Sequence, residues 1–189
     1  MTEPSQPKPQ RQLQGQVLLA APSLRDGIFD RAVVFLADHD AANGAYGLIL
    51  NRPTGHAVGD LLHGEQFEPL RHLAVHFGGP VSSDNLTFSA FWWGKGKARK
   101  LRTACRISAS DAVRHAKQPG TLVRAFAGYS GWSGGQLENE LRRQSWIVTR
   151  VPGNLLAVTH DRQLWSEVLR SLSPYHRILA EAPEDPFTN

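Results

Sequence analysis

The chain has 189 residues, 41% of them hydrophobic and 20% charged, which is the balance of a globular protein able to bury a core without a metal or disulfide staple. Its one cysteine, Cys105, cannot form an internal disulfide, and no apolar run approaches the roughly 20 residues of a membrane helix. The net charge of +4 is mildly basic, and the sequence therefore predicts a cytoplasmic, membrane-free protein, reached by elimination.

In chain order, residues 1–14 are polar and rich in proline and glutamine, and read as a disordered tail before one domain spanning 15–189. Strands are predicted over 16–21 and 30–38, the second rich in β-branched and aromatic residues. Asn43-Gly44 is a turn signal, and residues 45–51 complete a hairpin that Pro53 is expected to stop. A short helix over 57–63 follows, with Thr54 near its start and Gly64 near its end. Residues 72–77 are a strand running into Gly78-Gly79-Pro80. Residues 85–93 form another, with Leu86, Phe88, Ala90 and Trp92 on one face, and 98–107 form its hairpin partner.

Ser108 to Asp111 has the spacing of a capping box, opening a helix that ends before Pro119. Residues 121–129 predict a strand, 131–135 a glycine-rich turn, 136–144 a helix and 145–151 a strand. Residues 161–172 carry Leu164, Trp165, Val168, Leu169 and Leu172 at helical spacing. Strands and helices do not alternate regularly, which argues against a parallel doubly wound sheet and for a single α+β domain.

Several groups could carry chemistry. Gly131-Trp132-Ser133-Gly134-Gly135 fits the nucleophile-elbow pattern, with Asp161 and His176 following in a permissible order. Glycines at a strand-to-helix turn explain the same pattern without catalysis. His72 and His76 could share a face, and Asp38-His39-Asp40 sets two carboxylates beside an imidazole, but no metal-ligand spacing is present and no metal is expected. Cys105 has Arg102 and Arg106 nearby, which could activate its thiol, although a lone cysteine is more often a packing residue. Lys95, Lys97, Arg99, Lys100, Arg102 and Arg106 form a basic run without an acidic neighbour. Beside Phe91-Trp92-Trp93 it could stack bases over a cationic groove; otherwise the aromatics pack the core and the lysines sit in solvent.

Taken together, Ala20-Ala21-Pro22 with Asp26 and Phe29, the Arg31 to His39 segment, Gly47 to Pro53, Phe77 to Val81, Gly128 to Glu140 and Trp146 occur in an order that resembles the AlgH/YqgE family of bacteria, a family without an established biochemical activity. The resemblance runs from about residue 15 to 174. It implies a compact α+β fold on a barrel-like, mostly antiparallel or mixed sheet flanked by helices. Some members carry a cysteine where this chain has Ala37, so a redox role for that cysteine does not transfer. Ser133 is not part of the family pattern.

The turns at Gly78-Gly79 and 128–135 could converge and let a ligand reach backbone N–H groups, with Asn51, Arg52, Tyr129, Trp132 and Gln136 adding polar and stacking contacts. Alternatively, Asn51-Arg52-Pro53 ends a strand and Trp132 caps the core. The leading expectation is a non-enzymatic binding or regulatory protein without a cofactor, taking an unknown small molecule or protein partner. A hydrolase built on Ser133, and nucleic-acid association through residues 95–106, are the alternatives.

Overall fold

Val17, Leu18, Leu19 and Ala20 are all fully buried, so the strand they form is covered on both faces. The structure is a computed structural model and describes residues 12–95, 100–153, 155 and 163–181. It is one α+β domain built on a curled, mixed sheet. The strands are β1 (Val17–Ala20), β2 (Val33–Asp40), β3 (Gly44–Ile49), β4 (Pro53–Ala57), β5 (Ala74–Phe77), β6 (Val81–Trp93), β7 (Leu101–Ile107), β8 (Thr121–Trp132) and β9 (Trp146–Thr149). The helices are α1 (Val58–Leu61), α2 (Ala109–Ala116), α3 (Gln136–Arg142), α4 (Leu164–Leu172) and α5 (Pro174–Glu181), with a 3-10 turn at Glu65–Leu70.

The strand order is β4-β5-β8-β3-β2-β1-β9, and β6 pairs with both β8 and β7. Every pair is antiparallel except β5 with β8. The long strand β8 joins the two halves, reaching β5 through residues 125–127 and β3 through residues 130–132.

Both faces of the sheet are apolar. On one, Leu19, Phe35, Leu48, Phe91 and Phe126 pack against Trp165, Val168 and Leu169 of α4. On the other face of β1 to β3, Leu18, Val34, Leu36 and Ile49 pack with Trp132, Trp146 and Leu137 of α3. A third cluster joins Phe88, Ala90, Val123 and Ala125 to Ala112 of α2. Trp165 fixes α4 by donating its indole N–H to the Ala20 carbonyl at 2.8 Å.

Several expectations need adjustment. The hairpin strand β3 ends at Ile49, before Pro53, and Pro53 itself begins β4, at the first residue of a strand, where its missing N–H is tolerated. Thr54 lies inside β4, and α1 begins after Ala57 instead. The strand expected over 121–129 runs on to Trp132, which shortens the glycine turn to residues 133–135. Helix α5 was not foreseen; Ser173 Oγ accepts the His176 amide and Pro174 sits in the first turn, where a helix tolerates proline. Ser108 caps α2 by accepting the Asp111 N–H, but Asp111 takes the Ser108 hydroxyl rather than its amide, so the capping box is half formed. The chain is already tied down at Gln12 to Gln14, within the stretch read as tail: Leu13 is buried, and the Gln12 and Gln14 amides donate to the carbonyls of His39 and Ala37.

Candidate functional site

Gly78 and Gly79 follow β5 and run against the backbone of β8. A Cβ at Gly78 would lie 2.3 Å from the Gly128 carbonyl oxygen, and one at Gly79 would lie 2.3 Å from the Tyr129 carbonyl carbon. The Gly78 amide donates to Ala127, while its carbonyl accepts from the Ile49 amide and the Ser130 hydroxyl. These glycines therefore serve strand-to-strand approach, and the amide and carbonyl of Gly78 are both bonded within the protein.

The polar residues placed with them have internal partners too. Asn51 is buried; its Oδ1 accepts the Val33 amide at 2.8 Å and its Nδ2 donates to Arg31 at 2.9 Å, bridging β2 and the end of β3. Arg52 donates to the Asp30 carbonyl. The Trp132 indole is buried, stacks with Phe29 and donates to Glu140 Oε2. Gln136 accepts the Ser133 amide and donates to Glu140 Oε1. Tyr129 tilts against Tyr46, whose ring lies 4.3 Å from the Arg106 guanidinium carbon. Trp132 and Gln136 thus share Glu140, whereas Asn51 and Arg52 bond to the segment around Asp30 to Val33.

The other reactive candidates are constrained as well. His39 is buried; its Nδ1 accepts the Leu13 amide and its Nε2–H faces Glu138 Oε1 at 2.8 Å. Both ring nitrogens are engaged, leaving neither to act as a base. Asp38 and Asp40 are exposed, on the opposite side of the strand from His39. His72 precedes β5 and is exposed, whereas His76 lies inside it and is buried. Ser133 is exposed, His176 pairs with Ser173 on α5, and Asp161 lies outside the described residues. Burial pushes the Cys105 thiol above its ordinary range, against the activation its basic neighbours suggested. Among the described residues no group of three or more His, Cys, Asp or Glu side chains is arranged to hold a metal ion.

A cleft of ligand size opens elsewhere. Trp92, Trp93, Gly94 and Lys95 at the end of β6, Arg102 of β7, and residues 118–121 before and at the start of β8 line an open concavity of about 720 Å³. The register builds it: Trp92 sits opposite Arg102 on β7 and opposite Thr121 on β8, so these three side chains form one row on the sheet. Trp92 is backed by a stacked contact with His115 of α2, ring centroids 5.3 Å apart. Arg102 and Lys95 are exposed and no carboxylate is among the lining residues. Lys100 is exposed on the same hairpin; Lys97 and Arg99 lie outside the described residues.

The indoles sort by location. Trp132 and Trp146 donate to Glu140 and Trp165 donates to Ala20, whereas Trp92 and Trp93 form no hydrogen bond with the described residues. Sequence reading marked this aromatic–basic strand but missed the wall supplied by Gln118, Pro119, Gly120 and Thr121. Those residues looked only like a helix stop, because the wall exists through pairing of β6 with β8.

Comparison with known proteins agrees with the motif order. The AlgH-like family model matches residues 17–176. The chain belongs to the AlgH-like family. A UPF0301 protein of Streptomyces avermitilis is 39% identical over 187 residues, spanning 94% of this chain and 95% of the relative. One from Cytophaga hutchinsonii is 32% identical, spanning 93% and 98%. The solution structure of AlgH from Pseudomonas aeruginosa superposes with a TM-score of 0.64 at 26% identity, covering 95% of this AlgH-like chain and 98% of the other. A crystal structure of a Corynebacterium diphtheriae protein shares the fold, with a TM-score of 0.71 at 20% identity and coverage of 93% and 95%.

Proposed function

We propose that this AlgH-like chain is a non-enzymatic binding protein of the cytoplasm, acting in regulation, and that it binds an anionic ligand in the cleft beside Trp92 and Arg102. The observation that carries this reading is the composition of that cleft: the cations Lys95 and Arg102 beside the Trp92 indole, which has no hydrogen bond among the described residues, and no carboxylate among the described lining residues. Its volume of about 720 Å³ suits ligand binding, since such sites span roughly 300–1,000 Å³. A second concavity, about 130 Å³ between α1 and the Arg71–Glu68 pair, is smaller than that range.

The non-enzymatic part rests on the lack, among the described residues, of a histidine hydrogen-bonded to the Ser133 hydroxyl. A hydrolase needs a nucleophile bonded to a free base. The His39 imidazole is occupied at both nitrogens by Leu13 and Glu138, and His176 is bonded to Ser173, so neither histidine serves Ser133. No helix among the described residues is long and apolar enough to cross a membrane, and the lone cysteine suits a reducing compartment.

Titration with linear polyphosphate, followed by amide NMR shifts, tests the site. Shifts concentrated on residues 92–95, 102 and 118–121, and lost on Arg102→Glu, are expected. Shifts spread over the whole surface, or unchanged by that substitution, would remove the cleft as the binding site. Specific labelling by a fluorophosphonate that disappears in Ser133→Ala would overturn the non-enzymatic reading.

A further inference from the structure

We infer that the ligand of this cleft is single-stranded nucleic acid, a base meeting the indole of Trp92 and its phosphates meeting Lys95 and Arg102. This rests on the cleft being the binding site, and adds the class of ligand. Phosphate alone would be served by cations; it gives no reason for the Trp92 indole to share a sheet row with Arg102. An indole within a cationic groove suits a ligand that combines flat aromatic rings with negative charge, which is the covalent pattern of a nucleic-acid strand.

Geometry separates single strands from the nearest alternatives. Small-molecule sites commonly bury 70–90% or more of a drug-sized ligand, whereas this cleft is open to solvent. An open groove gains contacts only from a ligand that continues along it, which favours a strand over a mononucleotide. In a duplex the base faces are already stacked on one another, so tryptophan rings could not reach them without unstacking. The pairing of Trp92 with Arg102 puts a stacking surface and a phosphate-binding group on neighbouring strands of one sheet face. The stacked His115 ring backs Trp92 from α2, so that side chain is held in place before any ligand arrives. Lining groups that read base edges are few, and recognition is therefore expected to be sequence-tolerant.

The test uses the full chain and a fluorescein-labelled single strand of about 12 nucleotides, within the usual span of such sites. Binding is followed by anisotropy and by quenching of intrinsic tryptophan fluorescence. Its comparison arms are the same sequence as a duplex, linear polyphosphate of matched charge, and AMP. The single strand is expected to quench tryptophan and to bind roughly tenfold or more tighter than any comparison ligand. Lys95→Glu and Arg102→Glu, both at exposed positions, are expected to weaken it by roughly tenfold together and to flatten its salt dependence. Circular dichroism and thermal melting confirm that both variants fold. Equal affinity for strand, duplex and polyphosphate, without quenching, would overturn base recognition while leaving an anion-binding cleft. AMP binding as tightly as the strand would replace the polymer with a mononucleotide. No cleft-dependent binding of strand or polyphosphate would remove this inference and the binding site together.

Discussion

Trp132 and Trp146 donate their indole N–H groups to the same atom, Oε2 of Glu140, at 2.8 and 2.7 Å. Their rings meet edge to face, and Phe29 packs against both. One carboxylate therefore joins the end of β8 to the start of β9, across the helix that connects them. Gln136 occupies its second oxygen. The Gly131 to Gly135 run, which fits an elbow pattern in sequence, leads into this junction through Trp132 and Gln136.

Removing Glu140 should consequently cost stability. In Glu140→Ala two buried or half-buried indole donors lose a charged acceptor, and hydrogen bonds to charged groups contribute roughly 1.5–3 kcal/mol. The expected loss is of that order. Glu140→Gln, which keeps one oxygen acceptor, should lose less. Urea unfolding followed by tryptophan fluorescence measures both. A loss below about 0.5 kcal/mol for Glu140→Ala, the range of an ordinary surface change, would show that the junction is held by ring packing alone.

The glycines beside Tyr129 make a second prediction. A methyl group at Gly78 would stand 2.3 Å from a backbone oxygen, and strands cannot move apart without breaking the β5–β8 ladder. Gly78→Ala is expected to destabilise by roughly 1–3 kcal/mol or more, the cost of overpacking. Gly120 has a positive φ of 75° but open space around it, so Gly120→Ala tests backbone strain alone and should cost about 1 kcal/mol. Matched thermal melts compare the two. Near-equal losses would mean that space at Gly78 is not the limiting factor. Arg52→Ala tests the residue once placed in a ligand site with these glycines. It removes one donor to the Asp30 carbonyl and should fall within about 1.5 kcal/mol.

Much of this architecture was legible from local pattern. The alternation in residues 85–93 put Phe88 and Ala90 on one face, and they pack together beside α2. The Asn43-Gly44 signal lies at the β2–β3 connection. The meeting of Gly78 with Gly128 agrees with the expected convergence of the two glycine runs, although it serves strand approach. What could not be read was the side-chain partner: nothing local marks Glu140 as the acceptor for an indole six residues downstream. The same applies to His39, which lies 99 residues from Glu138 and in sequence shows only as an imidazole between two aspartates. The cleft is intermediate: its Trp92–Arg102 edge follows from the hairpin, but its far wall requires knowing that Trp92 also pairs with Thr121.

The link between His39 and Leu13 gives a prediction about the start of the domain. Leu13 N–H donates to His39 Nδ1 at 3.3 Å while the leucine side chain is buried beside Trp132 and Leu137. His39→Ala should leave that amide without its acceptor and weaken the attachment of Gln12 to Gly15. Hydrogen exchange at the Leu13 amide is expected to rise by roughly tenfold, equivalent to one neutral hydrogen bond of about 1.4 kcal/mol. Exchange at Phe35, in the centre of β2, should change less. Equal acceleration at the two sites would mean that His39 supports the whole sheet rather than the entering segment.

The last prediction concerns alkaline pH. Tyr46 is 8% exposed, and its hydroxyl is pushed up to about 12 from the ordinary value of 10.0. Burial is the largest cause, followed by the neighbouring Cys105; the nearby Arg106 cation opposes them. In the unfolded chain the phenol would ionise near its ordinary value, so between about pH 10 and pH 12 the unfolded state releases a proton that the folded state keeps. Stability from this group is therefore fully present below pH 10 and is lost as pH rises toward 12. Two units correspond to roughly 2–3 kcal/mol as an upper bound. Tyr46→Phe removes the titration while keeping the ring against Tyr129. The difference in unfolding free energy between the parent protein and this variant should be flat from pH 7 to 9. Above pH 10 it should shift in favour of Tyr46→Phe. Cys105, whose thiol is also raised by burial, titrates in both proteins and cancels to first order in the comparison. Parallel pH profiles up to pH 12 would show that the Tyr46 hydroxyl ionises as readily in the folded protein as in the unfolded chain.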